Sequence, residues 1–130
     1  MIFSLNEAIV MRIHDRMIEL YGGLPGMPDA ERVGAIIARV EQAAYYSDPA
    51  PDVFETAALY WVAIARGHIF NDANKRTALA STLFYLARNN IQIRNHPEDQ
   101  ARLVDLTLET ATGERDVAFL AAQLRTLVTF

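Results

Sequence analysis

Two stretches of the chain are apolar nearly all round. They are Thr56-Ala-Ala-Leu-Tyr-Trp-Val-Ala-Ile-Ala65 and Thr77-Ala-Leu-Ala-Ser-Thr-Leu-Phe-Tyr-Leu-Ala87. A helix that lacks a polar face is a buried helix, so these predict the third and fourth helices at the centre of the fold. Trp61 and Tyr60 read as core residues. Asp52-Val-Phe-Glu55 is a capping box that opens the third helix. The other helices are amphipathic. Leu5, Ile9, Ile13, Met17 and Leu20 recur at helical spacing behind Ser4-Leu-Asn-Glu7, a second candidate capping box. Val33, Ile36, Ile37 and Val40 form the stripe of a second helix, with Asp29 expected at its cap. Pro97 suits a first helical turn, and His96 before it reads as a surface residue or cap. The fifth helix should run to about Thr112, turn Val104, Leu108 and Ala111 to one face, and end at Gly113. Val117, Leu120, Ala121, Leu124 and Leu127 predict a last helix. Only 91–93 looks extended. The expectation is all-α, a single domain spanning 1–130, a bundle of about six helices.

Breakers separate these helices. Gly22-Gly-Leu-Pro-Gly-Met-Pro28 is turn-rich, either a plain connector or a segment that meets a partner. Tyr45-Tyr-Ser-Asp-Pro-Ala-Pro-Asp52 is stiffened by its prolines. A near absence of strands removes the sheet-based nucleotide folds, and no Walker-type Gly-x-x-x-x-Gly-Lys is present.

Composition narrows the classes further. The 130 residues are 52% hydrophobic and 22% charged, an ordinary globular balance. Cysteine is absent, which excludes disulfides and thiolate chemistry and fits a reducing, cytoplasmic setting. A net charge of −4 argues against general nucleic-acid binding. Neither a signal peptide nor a membrane span is read, so no membrane partner is expected.

The chemistry is concentrated between the two apolar helices, in Arg66-Gly67-His68-Ile69-Phe70-Asn71-Asp72-Ala73-Asn74-Lys75-Arg76. Gly67 is expected to end the third helix in a left-handed cap. Asn74 is expected to cap the fourth. Lys75 and Arg76 then fall in its first turn, where cations oppose the helix dipole. An anion bound at that helix start would account for them. Asp72 offers a hard oxygen ligand suited to Mg²⁺. His68 offers a base, and Phe70 an apolar anchor for the turn. A binding module for an acidic or phosphorylated peptide would use Lys75 and Arg76 but gives no reason for His68 with Asp72. An ordinary turn would explain Asp72 and Asn74 as cap residues and leave His68, Lys75 and Arg76 unexplained. Residue types alone leave these readings open. A zinc hydrolase is disfavoured, because the motif holds one histidine. His14, in the first helix, reads as a residue without a catalytic role.

His68-Ile-Phe-Asn-Asp-Ala-Asn-Lys-Arg76 resembles the signature of the Fic/Doc family, in its Doc (death-on-curing) branch. The Fic pattern reads His-Pro-Phe-x-Asp/Glu-Gly-Asn-Gly-Arg, with a second Arg two residues beyond. This chain keeps His68, Phe70, Asp72, Asn74 and Arg76. It has Ile69, Ala73 and Lys75 at the Pro and Gly positions and Leu79 in place of the second Arg. Those departures are similar to Doc toxins, as are the chain length, Tyr21-Gly-Gly-Leu-Pro-Gly26 and Arg66-Gly-His68.

The resemblance implies a transferase that uses ATP and Mg²⁺. His68 would be the base, Asp72 the metal-binding acid, and Asn74, Lys75 and Arg76 the phosphate binders. Arg66, outside the core motif, would join them conditionally. Fic proteins commonly transfer AMP to a protein hydroxyl. Doc-type proteins place a phosphate on a threonine of elongation factor Tu and stop translation. Ala73, Lys75 and Leu79 narrow the pocket and shift its charge, which favours phosphate transfer here. The resemblance further implies an antitoxin whose disordered tail folds as a helix into a groove on the toxin. It also implies a flap that aligns the target, formed by 22–28 or 45–52.

Overall fold

A computed structural model of the chain describes residues 2–129. Among them are six helices and two short strands: α1 (Glu7–Tyr21), α2 (Arg32–Tyr46), α3 (Val53–Arg66), α4 (Asn74–Arg88), β1 (Gln92–Ile93), α5 (Pro97–Ala111), α6 (Val117–Thr126) and β2 (Val128–Thr129). The fold is all-α apart from the antiparallel β1–β2 pair, in which Gln92 faces Thr129 and Ile93 faces Val128. No helix among the described residues is long and apolar enough to cross a membrane.

The core forms around α3, as its composition requires. Ala57, Ala58, Tyr60, Trp61, Ile64 and Ala65 are all buried, and α2, α4, α5 and α6 pack around them. Alanines on α3 let neighbouring backbones come close, and Trp61 fills the space toward α5. Its indole N–H donates to Thr107 Oγ1 at 2.9 Å, so the one polar atom of the largest core side chain is satisfied. The Asp52–Glu55 capping box is present. Asp52 Oδ1 accepts the Glu55 N–H at 2.8 Å, and Glu55 Oε1 accepts the Asp52 N–H at 3.2 Å.

Three expectations are corrected. Asn6, rather than Ser4, caps α1: its Oδ1 accepts the Ile9 N–H at 2.9 Å. Leu5 and Val10 then occupy the flanking positions of a hydrophobic staple, and both are buried. That register turns Val10 and His14 to the core and leaves Ile9, Ile13 and Met17 half-buried and Leu20 exposed. Asp29 caps the turn that leads into α2 rather than the helix itself, accepting the Glu31 N–H at 3.0 Å. On α5 the buried side is Leu103, Leu106, Thr107 and Thr110, while Val104 and Leu108 are half exposed. The threonines can face inward because each hydroxyl donates to a carbonyl one turn back, Leu103 and Leu106 respectively.

Gly67 also departs from expectation. Its φ of −75° is ordinary helical backbone, not left-handed. It is glycine because space is short: a Cβ there would lie 2.7 Å from the Ala63 carbonyl and 2.9 Å from Ile36 Cδ1. Gly67→Ala should therefore destabilise the protein by about 1–3 kcal/mol, the usual range for overpacking. Urea unfolding checks this, and a variant as stable as the parent would show that the Ala63 carbonyl and Ile36 give way to a methyl group without cost.

Candidate active site

The connection from α3 to α4 alternates buried and exposed residues. Ile69 and Phe70 point into the core, with 0% and 5% of their surface exposed. His68, Asn71 and Asp72 are left outside. This places His68 in left-handed backbone, at φ 49°. The carbonyl of Gly67, just before it, accepts a hydrogen bond from Arg32 Nε at the start of α2.

Asn74 does not cap α4 but is its first residue, and its side chain turns back. Nδ2 donates to the Phe70 carbonyl and Oδ1 accepts the Phe70 N–H, both at 2.9 Å. One amide thus clasps the loop at Phe70. The cap position falls to Ala73, at φ 63° and with no side-chain cap bond, so no side chain covers the amides of the first turn of α4.

Asp72 sits beside that helix start. Its Oδ1 accepts the Ala73 N–H at 2.8 Å, and its Oδ2 accepts the Leu24 N–H at 3.1 Å. These two donors, Ala73 first, hold the carboxyl below the usual carboxylate range, and the nearby Arg76 charge adds to the effect. It is exposed and ionised at neutral pH.

His68, Asn71, Asp72, Ala73, Asn74, Lys75 and Arg76 form the polar wall of one cavity of about 440 Å³. Leu79 of α4 and Val104 and Leu108 of α5 also line it, which accounts for the half-exposed apolar face of α5. Lys75 is exposed, with no carboxylate within ion-pair distance among the described residues. Arg76 Nη1 donates to the Gly22 carbonyl at 3.2 Å, and its guanidinium lies 5.8 Å from the Tyr21 ring. Two cations and one anion at an uncapped helix start suit an anionic ligand. No group of three or more metal-ligating side chains lies together among the described residues. Asp72 alone fits Mg²⁺ only in the form in which that ion is bound by one carboxylate and a ligand's phosphates.

Arg66 is not part of this wall. Its Nε donates to the Thr110 carbonyl at 2.8 Å and its Nη2 to the Arg115 carbonyl at 2.6 Å, joining the end of α3 to the α5–α6 connection. The expectation that it joins the phosphate binders meets a side chain placed outside this cavity. Phe70 is buried beneath the turn, against His14.

Two further contributors adjoin the motif: part of the 22–28 stretch, one of the two that the resemblance offers as a flap, and His14, which reads in the sequence as a residue without a catalytic role. Segment 22–26 is fastened to the motif by main-chain groups, through Leu24 N–H on Asp72, Asn71 N–H on the Gly26 carbonyl at 3.0 Å, and Asn71 Nδ2 on the Pro25 carbonyl at 3.1 Å. Its glycines and prolines signalled a turn, but nothing in them named its partner. Segment 45–52 lies elsewhere, bordering a second cleft with Leu59 and Val117. The other contributor is His14, which is 2% exposed. Its Nε2 lies 2.9 Å from the Asp72 carbonyl, and its ring stacks on Phe70 with centroids 3.7 Å apart.

Comparison with known proteins identifies the family. Residues 4–86, which take in the motif and α1 to most of α4, match the Fic/DOC family. The chain belongs to that family. Over 118 residues it is 52% identical to the protein kinase doc of Escherichia phage P1, covering 91% of this chain and 90% of that protein. Over 104 residues it is 34% identical to the toxin Doc of Mycolicibacterium smegmatis, covering 80% of this chain and 79% of the relative.

Two outcomes follow from the geometry. Ala73 carries a left-handed strain of about 1–2 kcal/mol that glycine would not. Glycine adds unfolded-state entropy worth about 0.4–1 kcal/mol, so Ala73→Gly should leave stability unchanged or raise it by about 1 kcal/mol. A drop in melting temperature would count against the assigned backbone. For Asp72, the folded carboxyl titrates below its unfolded value. Its contribution is therefore complete above the ordinary carboxylate range and lost only as pH falls through the lower folded value. An NMR titration should give Asp72 a midpoint below that of a peptide aspartate, with Leu24 amide protection lost at the same midpoint. A midpoint at or above the peptide value would mean that the two N–H bonds do not hold the carboxylate.

Proposed function

We propose that this protein is a Doc-type toxin that moves the terminal phosphate of ATP to a hydroxyl of a protein. One observation carries the reading. An exposed histidine shares a cavity with an ionised carboxylate, two cations and the uncovered start of a helix. Among its relatives, one is named a protein kinase and another a toxin.

In the proposed reaction His68 takes the proton of the attacking hydroxyl. The hydroxyl oxygen bonds to the γ-phosphorus, the bond from that phosphorus to the β–γ bridging oxygen breaks, and ADP leaves. Lys75, Arg76 and the first-turn amides of α4 hold the phosphate oxygens and the charge that spreads over them. Arg76 is free to exchange its single bond to Gly22 for a phosphate. Asn74 contributes through its main chain, since its side chain is committed to Phe70. Asp72 would hold Mg²⁺ on the phosphates, where the ion offsets their charge.

The choice of phosphate rests on Ala73, Lys75 and Leu79. The Fic pattern has glycine at the first two positions and arginine at the third. Here Ala73 adds a methyl group beside the helix start, Lys75 adds a cation, and Leu79 removes one. A nucleotide seated against that wall presents its terminal phosphate, rather than its α-phosphate, to His68. The proposed target is a threonine of elongation factor Tu, with arrest of translation in the cytoplasm. The proposed regulator is an antitoxin with a tail that folds on binding.

The test uses the full chain, Mg²⁺, elongation factor Tu and ATP labelled at the α or the γ position. Label from γ alone, lost in a His68→Ala variant that melts like the parent, is the expected result. Label from α would make the protein a nucleotidyl transferase. No label from either position would remove elongation factor Tu as the target.

A further inference from the structure

His14 has no part in the reaction proposed above, yet it is a nearly fully buried imidazole 58 positions from the residue it bonds. A main-chain carbonyl only accepts, so the 2.9 Å contact to the Asp72 oxygen makes Nε2 the donor and fixes the proton there. The other ring nitrogen lies 3.9 Å from an Asp15 oxygen, beyond hydrogen-bond distance. The ring plane is within 5° of the Phe70 ring.

The Asp72 carbonyl and the Ala73 N–H belong to one planar peptide unit. His14 holds its oxygen. The Asp72 carboxylate holds its N–H, at 2.8 Å. Rotation of this unit would relieve the left-handed φ of Ala73, so the strain favours letting go. Rotation would also take the N–H from Asp72 Oδ1, freeing the carboxylate and moving the start of α4. Packing alone does not call for a histidine here, because phenylalanine would stack on Phe70 equally well.

We propose that His14 is a positioning residue: its Nε2–H locks the Asp72–Ala73 peptide, and so sets the direction of the Asp72 carboxylate and of the first amides of α4 toward a bound, metal-chelated phosphate. The phosphate part of this inference rests on the reading given under Proposed function, and the lock itself does not.

Two variants separate the N–H from the ring. His14→Phe keeps the stack and removes the donor. His14→Gln keeps an amide N–H near the position of Nε2 and removes the ring. Three measurements are made on the full chain. Hydrogen exchange of the Ala73 and Leu24 amides needs no ligand and no reaction. Calorimetry with MgATP reads binding without transfer. ¹⁵N spectra of the parent read the tautomer, whatever the variants do.

The expected result is a His14→Phe protein that melts near the parent, exchanges Ala73 and Leu24 amides at least about tenfold faster, and binds MgATP between about tenfold and a hundredfold more weakly. His14→Gln should stay near the parent in both. Unchanged exchange in His14→Phe overturns the lock. Faster exchange with unchanged MgATP affinity overturns the phosphate role and leaves the lock standing. Loss in His14→Gln but not in His14→Phe would make the ring, not the N–H, the active part, and overturns the proposal. If neither variant folds, the parent spectrum decides: a slowly exchanging proton on Nε2 supports the lock, and a proton on Nδ1 with Nε2 bare overturns it.

Discussion

Burial of Ile69 and Phe70 in the middle of a polar connection is the constraint on which the cavity depends. Seven residues separate α3 from α4, and two of them are drawn into the core. Their neighbours are forced to the surface. Both left-handed residues of the loop, His68 and Ala73, flank that buried pair. Asn74 then satisfies both main-chain groups of Phe70, so the inward step leaves no orphaned backbone there. The chemistry-bearing side chains are aimed by this hydrophobic step, not by contacts among themselves.

Placing Lys75 and Arg76 in the first turn of α4 works against the helix dipole. The chain tolerates this because α4 is stabilised elsewhere, by packing against α3 along Ala78, Tyr85 and Leu86. Asp72, beside the same turn, offsets part of the positive charge. The balance leaves a net positive, uncapped helix start on a protein whose overall charge is −4. A local excess of positive charge at this helix start favours an anion there against the overall negative charge.

The sequence made α3, α4 and the motif between them legible, because all-round apolarity and capping chemistry are local signals. Asp52 with Glu55, and Pro97, needed no tertiary information. Other features did. Asn74 has the side chain of a cap, and only the path of the loop shows that it turns back to Phe70. Gly67 has the sequence setting of a left-handed terminator, whereas the reason for glycine is the closeness of the Ala63 carbonyl and Ile36. Thr107 and Thr110 break the apolar pattern of α5, so its spacing points to Val104 and Leu108, which are half exposed. Arg66 looked like part of a cationic cluster by sequence distance, but the end of α3 turns it to the α5–α6 connection. His14 and segment 22–26 act through main-chain contacts with residues about 50 positions away, and no residue pattern within a window reports such a pairing.

The far end of α4 is built differently. The Asn89 side chain accepts the Phe3 N–H at 2.9 Å and donates to the Phe3 carbonyl at 3.1 Å. The β1–β2 pair closes just beyond it, with the Arg94 N–H on the Leu127 carbonyl at 2.7 Å. A helix of 15 residues is about 22 Å long. Residues 3, 92–93 and 128–129 are thus gathered a whole helix length from His68. The cavity and the Phe3–Asn89 clasp thus lie at opposite ends of one helix. A dye or surface linker at the clasp would stand clear of the cavity, yet remain near enough for energy transfer to a labelled nucleotide.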